Sequence, residues 1–72
     1  MKPAKFRDVD RFLRKLGYDL DRVEGSHHIY DKPGSPSGIS VPKDSSGEVS
    51  PGVMRNVLRA LGLREADFKR LK

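Results

Sequence analysis

The chain contains no cysteine, no tryptophan and only two histidines. Without cysteine there is no disulfide, no thiolate nucleophile and no thiolate-based zinc site. A chain this small must then hold together through a compact apolar core or through a partner. The lack of cysteine fits a reducing compartment, and a cytoplasmic location is expected. No apolar run is long enough to span a bilayer. The basic start, Met1-Lys2-Pro3-Ala4-Lys5, is not followed by the apolar stretch of a secretory signal, so no membrane partner is expected. A length of 72 residues allows one domain, residues 1–72, and no second core.

What the chain does have is positive charge, net +5, unevenly spread. Residues 1–16 carry six Lys/Arg against two Asp, and residues 51–72 carry six Lys/Arg against two acids. The middle, residues 17–50, is acidic, with six acids against three bases. Basic flanks suit a polyanion such as nucleic acid, although solvated helix surfaces also carry such charge.

The hydrophobic pattern resolves into a short series of elements. Phe6, Val9, Phe12, Leu13 and Leu16 follow helical spacing, which predicts an amphipathic helix over about residues 4 to 16. Gly17 suits its C-terminal stop. Tyr18 and Leu20 alternate with Asp19 and Asp21, as in a strand with one wet face. Gly25-Ser26 reads as a turn or bulge, and His27 to Tyr30 or Asp31 as a second strand. Residues 32–38 form a Pro/Gly/Ser loop. Gly38 to Pro42 reads as a third strand with Ile39 and Val41 on one face, and residues 43–49 as a polar loop. Ser50 suits an N-cap and Pro51 the first helical turn. Met54, Val57, Leu58 and Leu61 supply a second apolar face, closed by Gly62, and a further short helix tucks Phe68 against the core. The fold class expected is α+β: an α-β-β-β-α order with a three-stranded antiparallel sheet, both helices on one face and a short C-terminal helix. That is the order of the double-stranded RNA-binding domain.

Gly25-Ser26-His27-His28-Ile29-Tyr30 is the stretch richest in chemistry. Adjacent strand residues point to opposite faces, so His27 and His28 cannot readily chelate one ion, and neither metal nor cofactor is expected. Ser26 has no nucleophile elbow around it, and Gly52 alone makes no phosphate loop. Proton transfer remains, on a substrate that carries its own nucleophile. RNA is one, because its 2′-hydroxyl lies beside the scissile phosphate. A histidine of near-neutral pKa can take that proton, and cations can hold the phosphate. A non-catalytic RNA-binding module of the same fold is the alternative. A DNA-binding or scaffold domain is weaker, since no helix-turn-helix pattern is present.

Several of these residues, in order, make the chain resemble the HicA family of small toxins, mRNA interferases paired with HicB antitoxins. Leu16-Gly17-Tyr18 is similar to the family's Leu-Gly-Phe/Tyr, and Gly25-Ser26-His27 with Tyr30 to its Gly-Ser-His-x-x-Phe/Tyr. Ser40-Val41-Pro42 resembles its Val-Pro strand end. Pro51-Gly52, Arg55, Leu58-Arg59 and Leu61-Gly62-Leu63 resemble its last helix. Lys43-Asp44 departs from members with a histidine after Val-Pro, and Val53 replaces a usual Thr. The resemblance implies a single toxin domain that cleaves mRNA without a metal, as an endoribonuclease inhibited by a HicB-type antitoxin. It implies that His27 is catalytic, on the turn made by Gly25 and Ser26, with His28 as the alternative. Lys5, Arg55 and Arg59 are the expected RNA-binding cations on the helices, with Arg22 and Lys43 nearer the histidine. One expectation carries a tension: His27 shares strand parity with Ile29, which is expected to face the helices, so a bulge seated at Gly25 is expected to free it at the sheet rim.

Overall fold

The computed structural model describes residues 2–35 and 38–72; Pro36 and Ser37 of the expected loop, and Met1, lie outside the described residues. The elements run β1 (Ala4–Lys5), α1 (Phe6–Lys15), β2 (Asp19–Glu24), β3 (His27–Asp31), β4 (Ile39–Pro42), β5 (Glu48–Val49), α2 (Pro51–Leu61) and α3 (Glu65–Leu71). The fold is α+β with the double-stranded RNA-binding layout. A three-stranded antiparallel meander, β2-β3-β4, carries the helices on one face.

Helix boundaries follow local chemistry. The end of α1 is a Schellman close: the Gly17 N–H donates to Arg14 O and the Tyr18 N–H to Leu13 O, both at 3.0 Å. The same pattern ends α2, where Gly62 and Leu63 donate to Arg59 O and Leu58 O. Ser50 caps α2 by accepting from the Val53 N–H at 3.3 Å, with Pro51 at the first helical position.

The start of α1 differs from expectation. Ala4 and Lys5 are extended and pair antiparallel with Val49 and Glu48. The expected polar loop 43–49 therefore ends in a strand. The Asp44 carboxylate organises this loop by accepting from Ser46 N–H and Oγ and from Glu48 N–H, and these bonds hold its pKa below the ordinary value. Two residues are too few to display a strand period.

Val9, Phe12 and Leu13 of α1 meet Tyr30 and Val41 of the sheet and Met54, Val57 and Leu58 of α2 in one core cluster. Phe68 of α3 closes it, edge-on to Phe12 with ring centroids 5.1 Å apart.

Tyr30 is fully buried as a ring, and its hydroxyl donates to Asp10 Oδ1 at 2.6 Å. Burial, then the hydrogen bond to Asp10, push the Tyr30 pKa up. Partial burial works to raise the Asp10 pKa, but the Tyr30 hydrogen bond and the Arg14 guanidinium outweigh it and hold that carboxyl below its ordinary range. Tyr30→Phe is expected to cost about 1.5 kcal/mol at neutral pH, the low end for a hydrogen bond to a charged group. The Asp10 contribution is present above the unfolded carboxylate pKa and is lost as pH falls through the lowered folded value. The Tyr30 contribution is complete below its unfolded pKa, about 10, and is lost as pH rises beyond it. Denaturant unfolding of both proteins across pH checks this: the gap should shrink at both extremes.

Candidate active site

Gly25 and Ser26 form the two-residue loop between β2 and β3, with Glu24 and His27 as facing partners. Gly25 has φ 61° and no non-glycine residue described has positive φ, the pattern of a type II′ turn. This turn suits the right-handed twist of a hairpin and fixes where β3 begins. His27 is therefore the first residue of a rigid element.

The bulge lies elsewhere. The β2–β3 register shifts between Leu20 and Arg22, so Asp21 is the extra residue, while Glu24 to His27 pairs regularly. Strand parity is also the reverse of the expected one. Tyr30 faces Ile39 and His28 faces Val41, and Tyr30, Ile39 and Val41 are buried. Ile29 faces Ser40 and is only half-buried. The helix side thus takes Tyr30 rather than Ile29, because the larger ring fills the core and Asp10 satisfies its hydroxyl. His27 needs no bulge to escape: regular alternation puts it on the open face with Ile29 and Ser40.

The two histidines have different surroundings. His27 is exposed, and its Nδ1 lies 3.3 Å from Ser40 Oγ. No partner of Nε2 is present among the described residues. His28 is half-buried against Phe6, with ring centroids 4.5 Å apart, and its Nδ1 lies 3.3 Å from the Ser26 carbonyl oxygen. That carbonyl also accepts from the Lys43 N–H at 3.0 Å. The turn bearing His27 is thus fastened from below by His28 and, just past the end of β4, by the Lys43 N–H.

The expected cations fall into two groups. Lys43 is at the turn, with Nζ 5.2 Å from the Phe6 ring centroid, and Lys5 shares a surface groove with it. Arg22 stands near the hairpin but is engaged by Asp21 at 2.7 Å and Glu24 at 2.9 Å. Arg55 and Arg59 lie exposed one turn apart on α2, which packs on the other side of the sheet from His27. No ion pair or hydrogen bond among the described residues joins them to the hairpin. Ser40 and Phe6 were not expected in the site. A parity argument from Ile39 and Val41 could have found Ser40, whereas Phe6 looked like one more core position of α1.

The open face is acidic as well as exposed. Asp19 faces Asp31 and Glu24 faces His27 across the β2–β3 pair. Among the described residues no three His, Cys, Asp or Glu side chains gather as metal ligands do. A family model described as the HicA toxin of bacterial toxin–antitoxin systems matches residues 6–63. The chain belongs to the HicA toxin family. The match spans α1 to the close of α2 and includes both histidines; Lys2–Lys5 and α3 of this HicA toxin lie outside it. No curated protein sequence matches the chain. Among the described residues, no helix of the HicA toxin is long and apolar enough to cross a membrane.

Proposed function

We propose that residues 1–72 act as one toxin domain that cleaves mRNA in the cytoplasm, with His27 as general acid/base and no metal in the reaction. The observation that carries this reading is the free Nε2 of an exposed histidine whose Nδ1 is held by Ser40. With the proton on Nδ1 donated to Ser40 Oγ, Nε2 holds the lone pair that a base needs. It takes the proton of the RNA 2′-hydroxyl as that oxygen bonds to phosphorus. The bond to the 5′-oxygen then breaks, and solvent supplies a proton to that leaving group. Lys43 has no carboxylate partner among the described residues and its backbone N–H bonds the Ser26 carbonyl; its Nζ rests over the Phe6 ring and would have to swing round the end of the sheet to stabilise charge on the phosphate.

An antitoxin of the HicB type would suppress the reaction most simply by covering the open face around His27. The test of the nuclease reading is incubation of the purified chain with RNA in excess chelator. Cleavage is expected; RNA binding without cleavage would make the chain a binding module.

Arg55 and Arg59 have no ion-pair partner among the described residues and serve in this reading as backbone contacts for longer RNA. Charge reversal of both is expected to weaken RNA binding several-fold and to flatten its salt dependence. Unchanged affinity in a titration would remove α2 from the RNA path.

A further inference from the structure

Folding makes the cations of this chain unequal. Arg14, Arg22, Lys69 and Arg70 sit within salt-bridge distance of carboxylates. Lys2, Lys5 and Arg7 have no carboxylate partner among the described residues. These three, with Lys69 and Lys72, line a groove of about 640 Å³ between the N-terminal segment and α3. Asp8 and Glu65 also line it, Glu65 lying 3.3 Å from Lys69, so five cations stand against two carboxylates and the groove keeps a positive surplus. Lys5 and Arg7 are shared with a second groove, of about 570 Å³, which continues past Phe6 to Lys43 and has one carboxylate, Glu48, in its lining. The Lys43 backbone N–H in turn donates to the Ser26 carbonyl of the His27 turn. One path with a cationic surplus therefore runs from α3 to Lys43, at the foot of the hairpin turn.

Solvated lysines on a convex helix face need no ligand. Here five cations come from the N-terminal segment, the start of α1 and α3, and line a concavity. Their mutual repulsion must be relieved by condensed anions, and a polyanion that displaces those ions gains their release. The alternative approach to His27, along the open sheet face, runs over Asp19 and Asp31, which face each other, and over Glu24; the one cation of β2, β3 and β4 is Arg22, already paired with Glu24 at 2.9 Å, so that face holds no unpaired cation for a phosphate. A polyanion thus reaches His27 from the end of the sheet, where Lys43 stands. A path made of two small adjoining grooves suits a flexible single strand and not a stiff duplex.

We propose that this double groove is a track for the phosphate backbone of single-stranded RNA to one side of the scissile phosphate. The proposal rests on the nuclease reading for the position of that phosphate. Its far half is made by Lys2, Lys69 and Lys72, which lie outside the family match at residues 6–63.

The test uses Lys2→Gln/Lys69→Gln/Lys72→Gln in the full chain, with His27→Ala added so that RNA survives the titration. The probe is a fluorescent single-stranded oligoribonucleotide, read by anisotropy across salt concentrations, with a thermal melt to establish that the variant is folded. Affinity at low salt is expected to fall by about tenfold or more, and the slope of log K against log salt to flatten by about 0.7 for each phosphate no longer neutralised. Equal affinity and equal slope would overturn the track, whether or not the parent chain cleaves RNA. Lost binding by the variant, with no cleavage by a chain retaining His27, would uphold the track and sink the nuclease reading instead. Displacement of the RNA by poly-glutamate at equal charge would overturn the RNA assignment in favour of an acidic protein partner.

Discussion

Replacing His27 with alanine is expected to slow RNA cleavage by about 10²–10⁴-fold, the range associated with loss of a positioned acid/base. The fold should survive. His27 is exposed, and its side chain is tied only to Ser40 among the described residues. The turn beneath it does not depend on the imidazole, since Gly25 supplies the positive φ and Ser26 supplies the carbonyl that Lys43 and His28 bind. His28→Ala should behave in the opposite sense. It removes a ring packed on Phe6 and a tie to the Ser26 carbonyl, so it should lower the melting temperature and slow cleavage less than His27→Ala does. Single-turnover cleavage and a thermal melt on both variants separate the two roles. Equal rates for His28→Ala and His27→Ala in folded proteins would contradict the division proposed between them.

Phe12→Ala should have the largest effect on stability. Phe12 is fully buried near the middle of α1, and its ring meets Phe68 edge-on. It joins α1 to α3 as well as to the sheet side of the core, so its removal leaves a cavity that three elements would have to collapse around. Burial of this kind typically costs about 3–5 kcal/mol on truncation. A domain this small has a total stability at the low end of about 5–15 kcal/mol. Much of the variant should therefore unfold at modest denaturant. The check is a urea titration, in which the midpoint should drop steeply with little change in slope, while Phe12→Leu should recover most of the loss. A loss below about 1 kcal/mol would mean that the core closes without this ring.

The helices and the meander were legible because their signals are long or chemically specific. Three turns of apolar spacing define α1, and Ser50-Pro51 with Gly62 bracket α2. The pairing of β1 with β5 was not legible. Each strand is two residues long, and what pins them is the Asp44 loop, a tertiary arrangement of polar groups. The wet-face reading of β2 also gave way. All six of its residues are exposed, because β2 is an edge strand that the helices do not cover, and Leu20 and Val23 stay at 38% and 51% exposure.

In the candidate site, His27 was picked out by its place after Gly-Ser, and its orientation was not legible there. Assigning the helix side to Ile29 was reasonable on hydropathy. Tyr30 wins because its ring adds more apolar surface and because Asp10, twenty positions earlier in the chain, accepts a hydrogen bond from its hydroxyl. A long-range partner of that kind decides parity and leaves no local mark. Reversing the parity also brings Ser40 to His27, so the partly buried Tyr30–Asp10 pair goes with His27, and not His28, lying on the open face.

The central claim is that His27 takes the 2′-hydroxyl proton of RNA without help from a metal. The most direct measurement is single-turnover cleavage in excess chelator by the parent chain and by His27→Ala. The substrates are an RNA and the same strand carrying a 2′-deoxy residue at each position that the parent chain cuts. The account predicts that only the parent chain acting on the all-ribo strand gives fast cleavage. Cleavage of the deoxy-substituted strand at the same positions and rate, or cleavage of the all-ribo strand by folded His27→Ala at the parent rate, would contradict it.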